Sequence, residues 1–146
     1  MFLGRVDERA ALAVWLFTRG RNTDDDWRAY CESVRHATQI AEKRAAAYAL
    51  QVIDVGSEDP NAKWRREIAL TMRVSIPQAH VVLATRSRMV RYVLTAIQWL
   101  QPVPCGLHIF PSEPEALERL EQLAQGRSAR ARSILAELRT LSDART

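Results

Sequence analysis

The 146-residue chain contains few of the residues that build the commonest compact functional motifs. Its two cysteines, Cys31 and Cys105, form no C-x-x-C pair and are too few for a disulfide framework. Its five glycines form neither G-x-G-x-x-G nor the phosphate-binding G-x-x-x-x-G-K-[ST] loop. The chain has three histidines, none at a metal-binding spacing such as H-x-x-x-H: His36, His80 and His108. We therefore predict no metal, no cofactor and no nucleotide held by either glycine-rich loop. Each histidine is expected to be a lone surface residue or one with its hydrogen bonds satisfied, and the alternative is that folding brings the histidines together.

Long apolar segments and catalytic signatures are also missing. No run approaches the roughly 20 apolar residues of a membrane-spanning helix, and the first residues turn charged at Arg5, unlike a signal peptide. A cytoplasmic protein is therefore expected. No G-x-S-x-G motif is present, and Cys105 has no base partner close in sequence. We predict no catalytic residues and a protein that is not an enzyme.

The composition is that of a folded domain with an uneven charge distribution. Apolar residues make up 47% and charged residues 26%, which fits one globular domain. The net charge of +4 is concentrated in residues 61–110, where seven basic residues face one acidic residue. Such a local basic field attracts an anion or an acidic partner, although a solvated basic face has the same composition.

Short apolar runs alternate with amphipathic segments along the chain. Continuous apolar runs predict four buried strands, over residues 10–17, 48–55, 81–84 and 107–110. Apolar residues spaced three and four apart predict helices near residues 23–43, 61–74, 87–100 and 112–126. This βαβαβαβα alternation predicts an α/β fold with a mainly parallel sheet flanked by helices. Residues 2–6 are compatible with an antiparallel edge strand at the N-terminal side.

Two helices carry more specific expectations. In the helix near residues 87–100, the apolar spacing places Val90, Val93 and Leu94 on the inward face. A last amphipathic helix over residues 128–141 docks onto the domain or onto a second copy, so a homodimer is one reading. We predict one α/β domain over residues 1–125, followed by a helix and tail over residues 126–146.

The carboxyl ends of parallel strands meet at one edge of a sheet, where ligands of such folds bind. The segment after the second buried strand reaches this edge. A phosphate on its serine would add roughly −1.5 to −2 charges near a helix N-terminus, whereas ordinary turn chemistry explains the same residues. We interpret the segment as a candidate phospho-switch or partner loop, formed by Asp54, Ser57, Glu58 and Asp59.

A second polar cluster follows the third buried strand. Free backbone amides at a helix start, hydroxyl groups and guanidinium groups together can bind an anion or an acidic partner. The alternative is a solvated surface whose arginines pair with nearby carboxylates. The candidate residues are Thr85, Arg86, Ser87, Arg88 and Arg91.

Several segments together resemble the STAS/SpoIIAA-like superfamily, and its bacterial members in particular. They are residues 7–9 (DER), 23–30 (TDDDWRAY), 64–69 (WRREIA), 93–100 (VLTAIQWL) and 115–117 (EAL). The resemblance covers roughly residues 1–125 and implies a small α/β domain that binds proteins or small ligands without chemistry. Anti-sigma-factor antagonists of this superfamily are switched by phosphorylation between a strand and a helix. Ser57 occupies that stretch, but the sequence Asp54-Val55-Gly56-Ser57 departs from the family's Asp-x-Ser-Gly loop.

The sequence thus favours a non-enzymatic regulatory domain that binds a partner protein. The alternative is a module that binds an anionic small molecule or a lipid headgroup at the carboxyl edge. An enzyme would need an acid–base pair that no spacing reveals. The sequence contains no helix-turn-helix or other nucleic-acid-reading motif, so we expect no specific nucleic-acid binding.

Overall fold

The computed structural model of the protein describes residues 1–72, 79–100 and 106–146, except for the side chains of residues 97–100. The predicted helix end at residues 73–74 and Cys105 lie outside the described residues. In the described part, no helix is long and apolar enough to cross a membrane.

In the part of the chain that the structure describes, five strands form one sheet in chain order. They are β1 (Phe2–Asp7), β2 (Leu12–Phe17), β3 (Ala47–Ile53), β4 (Ala79–Thr85) and β5 (Gly106–Phe110). The β1 strand pairs antiparallel with β2, and every later pair is parallel. The predicted α/β architecture, mainly parallel with an antiparallel edge strand, is confirmed.

Among the described residues, five helices flank this sheet: α1 (Asp24–Arg44), α2 (Ala62–Met72), α3 (Arg88–Leu100), α4 (Glu113–Leu123) and α5 (Arg127–Arg145). The start of α1 is fixed by a capping box. Thr23 Oγ1 accepts from the Asp26 amide at 3.2 Å, while the Asp26 carboxylate accepts from the Thr23 amide at 2.8 Å. Acidic residues in the first turn also suit the positive end of the helix dipole.

The sheet is covered on both faces, and β2 is buried along its whole length. On one face, Ala13, Trp15 and Phe17 pack with residues of α1 and with Trp64 of α2. On the other face, α4 and α5 cover the alternate residues of β2. The residues of α5 that belong to this second core are Ala131, Ile134, Leu135 and Leu138. The last helix therefore packs onto the sheet of its own chain.

Candidate functional site at the carboxyl edge of the sheet

A cleft of about 400 Å³ lies where β3, β4 and β5 end. The start of α4 and the side chain of Arg139 from α5 complete its wall. The parallel pairing places the last residues of β3 and β4, Ile53 and Thr85, side by side. The polar residues of the lining are Asp54, Thr85, Arg86, Ser112, Glu113 and Arg139.

Two carboxylates hold one guanidinium inside this cleft. Arg139 Nη1 donates to Asp54 Oδ2, and Arg139 Nη2 donates to Glu113 Oε1, both at 2.5 Å. The hydrogen bond to Asp54 is the main reason why the pKa of Arg139 is raised above its ordinary value, with Glu113 adding to it. The three charges tie α5 to the end of β3 and to the first turn of α4.

The hydroxyl groups of the predicted anion cluster accept hydrogen bonds from nearby backbone amides. Thr85 is buried, and its Oγ1 accepts from the Ser87 amide at 3.2 Å. Ser87 Oγ in turn accepts from the Val90 amide at 3.3 Å, which places Ser87 as the cap of α3. Of the five residues predicted here, Thr85 and Arg86 line the cleft.

The other members of that cluster point elsewhere on the surface of the protein. Ser87, Arg88 and Arg91 do not line the cleft. Arg88 is exposed, whereas Arg91 is half-buried, and its Nε has no hydrogen-bond partner in the described part of the chain. Arg88 is therefore available to a partner outside the cleft.

The residues of the predicted phospho-switch loop are likewise divided between the cleft and the surface outside it. Asp54 lines the cleft, but Ser57 does not. Ser57 is half-buried, and its Oγ accepts from Asn22 Nδ2 at 3.2 Å. Glu58 also contacts Asn22, whose amide donates to the Glu58 carboxylate at 3.1 Å.

Ser57 is also separated from the helix that follows it. The amide of Trp64 donates to Asn61 Oδ1 at 3.0 Å, so Asn61 caps α2, four residues beyond the serine. Glu58 and Asp59, which directly follow Ser57 in the sequence, are exposed and carry negative charge next to it. Modification of Ser57 stays a prediction.

An exposed apolar stripe lies on α3. Met89, Tyr92 and Val93 expose 69%, 73% and 45% of their surface. The placement of Val93 on the inward face of this helix is wrong. The apolar residues of α3 form one face that spans more than half of the helix, so spacing alone does not choose which part of that face packs against the sheet.

The sequence missed two contributors to this edge of the molecule. Glu113 and Arg139 lie in segments where charged residues are common, and no local signal separates them from solvated neighbours. Only the packing of α5 brings Arg139 to Asp54, which is 85 residues away in sequence. No three His, Cys, Asp or Glu side chains converge as a metal site among the residues that the structure describes.

Comparisons with protein-family models, with curated proteins and with solved structures found no match.

Proposed function

We propose that the protein is a non-enzymatic, cytoplasmic regulatory domain that binds a partner protein through the start of α3. The STAS/SpoIIAA-like fold that its sequence resembles is part of this proposal. The observation that carries it is the exposure of Met89, Tyr92 and Val93 on one helix. Large apolar side chains that cluster in solvent mark interaction surfaces more often than scattered ones do.

The composition of this α3 face suits a protein interface. Arg88 and Tyr92 are four residues apart, as are Met89 and Val93, so each pair is adjacent on the helix surface. Tyrosine, methionine and arginine are enriched at the centres of protein interfaces. Tyr92 supplies a large apolar ring with a polar hydroxyl and loses little conformational freedom when it is bound.

The charge around the same face indicates the chemistry of the partner. Arg86 and Arg88 are exposed, and neither has a carboxylate within salt-bridge distance among the described residues. Complementary charge steers association and suppresses wrong partners. We therefore expect a protein that surrounds an apolar contact with Asp and Glu.

Charge reversal tests this proposal. The double variant Arg86→Glu/Arg88→Glu is expected to weaken partner binding at least about tenfold, because each substitution replaces attraction by repulsion. The matched control is Arg65→Glu/Arg66→Glu, which makes the same charge change at two exposed residues of α2. Partner recovered on immobilised protein is quantified for wild type and both variants, and circular dichroism checks folding.

The proposal requires a difference between the two double variants. Equal recovery of the partner by all three proteins would contradict it, as would equal loss in both variants. If wild type recovers only a second copy of this chain, the α3 face is a self-association surface and the proposed acidic partner is wrong.

The cleft supports a second candidate, the binding of an anionic small molecule. It combines a volume of about 400 Å³ with the guanidinium of Arg86 and the hydroxyl of Thr85. Asp54 and Glu113 carry negative charge into the same space, which is why we rank this candidate second.

A thermal melt with inorganic phosphate tests the second candidate. An anion held by Arg86 raises the melting temperature of wild type, because binding to the folded state alone stabilises it. Arg86→Ala abolishes this rise, whereas Arg65→Ala keeps it. No rise in wild type, or the same rise in Arg86→Ala, would exclude the anion site.

A further inference from the structure

Two histidines meet on the sheet face that α4 and α5 cover. His80 of β4 and His108 of β5 bring Nδ1 and Nε2 to 3.3 Å, although they are 28 residues apart in sequence. For this pair, the alternative in which folding brings two histidines together applies. The ring centroids are 5.5 Å apart, close to the sum of this contact and the two ring radii, so the two nitrogens face each other. Gly106 leaves room for the pair, since a Cβ there would overlap His80 Nδ1.

A neighbouring arginine determines which ring nitrogens of the two histidines carry protons. Arg119 Nε points at His108 Nδ1 at 3.5 Å, and it can only donate. His108 Nδ1 is then the acceptor, so the proton of neutral His108 is on Nε2 and is donated to His80 Nδ1. The remaining proton of neutral His80 is on its own Nε2. One chain of donors runs from Arg119 through His108 to His80.

Positive charges around the pair oppose an additional proton. The Tyr48 ring of β3, nearly parallel to His80 at 5.8 Å, would itself favour a cation, but the Arg127 guanidinium of α5 already lies 5.2 Å from the centre of that ring. From α4, Arg119 adds a fixed positive charge. No carboxylate lies within salt-bridge distance of His80 or His108 among the described residues. Burial first, then the charges of Arg119 and His80, lower the pKa of His108.

We propose that the chain of hydrogen bonds from Arg119 through His108 to His80 is a proton-sensitive clasp that joins α4, β5 and β4 and loosens in mild acid. An additional proton on His108 enters at Nδ1, where it faces the Nε–H donor of Arg119. The contact between α4 and β5 would then open more often. The clasp does not depend on the partner binding proposed above.

A shared metal ion fits this arrangement less well. His108 Nε2 would have to give up its proton to become a ligand, and Nδ1 would then carry a proton that faces the Arg119 donor. The described residues also supply no third ligand beside the pair.

The sign of the pH effect follows from the lowered pKa of His108. Above the ordinary imidazole range, the folded and unfolded chains are both neutral here and the clasp is intact. As the pH falls below that range, the unfolded chain binds a proton that the clasp refuses, so stability is lost. The loss is complete once the pH passes below the pKa of folded His108.

Hydrogen exchange and imidazole NMR test the clasp together. After correction for intrinsic exchange rates, the protection of β5 amides is expected to fall about tenfold for each unit by which the pKa is lowered, between about pH 7.5 and pH 5. In His80→Gln/His108→Gln this pH dependence disappears. The control His36→Gln keeps it, because exposed His36 bonds Glu8 at 2.8 Å in another part of the molecule.

The NMR measurement needs only the wild-type protein, so the clasp stays testable if the double variant fails to fold. Long-range ¹H–¹⁵N spectra at neutral pH are expected to show His80 and His108 both protonated at Nε2. His108 is expected to titrate below the ordinary range of a histidine side chain. A proton on Nδ1 of neutral His108, titration of His108 within or above that range, or pH-independent β5 protection would each overturn the clasp.

Discussion

Ile134→Ala is expected to lower the free energy of unfolding by about 2–5 kcal/mol. Ile134 is fully buried in the core that α4 and α5 form with the sheet, so truncation removes apolar burial and leaves a cavity. Urea denaturation monitored by circular dichroism measures the change as a shift of the midpoint at constant slope.

The matched control for Ile134→Ala is Leu141→Ala, on the same helix at a residue that is 41% exposed. It is expected to cost less than about 1 kcal/mol, because a large part of its side chain is already in solvent and truncation leaves no enclosed cavity. Equal losses in the two variants would show that α5 does not pack on the sheet as described. The position of Arg139 in the cleft would then lose its support.

Arg139→Met is expected to cost about 2 kcal/mol of stability. The change leaves Asp54 and Glu113 without the cation that both of them contact. Breaking a fully buried ion pair costs about 3–5 kcal/mol. The Arg139 side chain is 35% exposed, and solvent screening reduces the figure.

Two controls separate the ion network from lost packing. Arg132→Met removes an exposed arginine from the same helix and is expected to change stability by less than about 0.5 kcal/mol. Adding Asp54→Asn and Glu113→Gln to Arg139→Met restores most of the loss, because the uncompensated charges disappear. A triple variant as unstable as Arg139→Met would show that the charges contribute little.

The sheet could be predicted because its signals are local. Every residue of β2 is buried, which matches its unbroken apolar sequence, and Thr23 with Asp26 marks the start of α1 within four residues. Alternation of such runs with amphipathic segments then leaves a mainly parallel sheet as the simplest arrangement.

The site could not be predicted to the same depth because it depends on contacts between distant residues. Arg139 joins Asp54 and Glu113 only after α5 has packed, and His80 meets His108 only because β4 and β5 are neighbours. For α3, the apolar pattern was visible, but the exposed side was not. Its orientation depends on which residues the sheet and the other helices leave room for.

Site-specific photo-crosslinking tests whether the exposed face of α3 binds an acidic partner protein. A photoreactive phenylalanine analogue replaces Tyr92 in one protein and Leu70, which is 44% exposed on α2, in the control. After irradiation in the cells that make the protein, the account predicts a crosslink at position 92 to one acidic partner protein and none at position 70. No crosslink at position 92, the same products at both positions, or a product with a second copy of this chain alone would contradict the account.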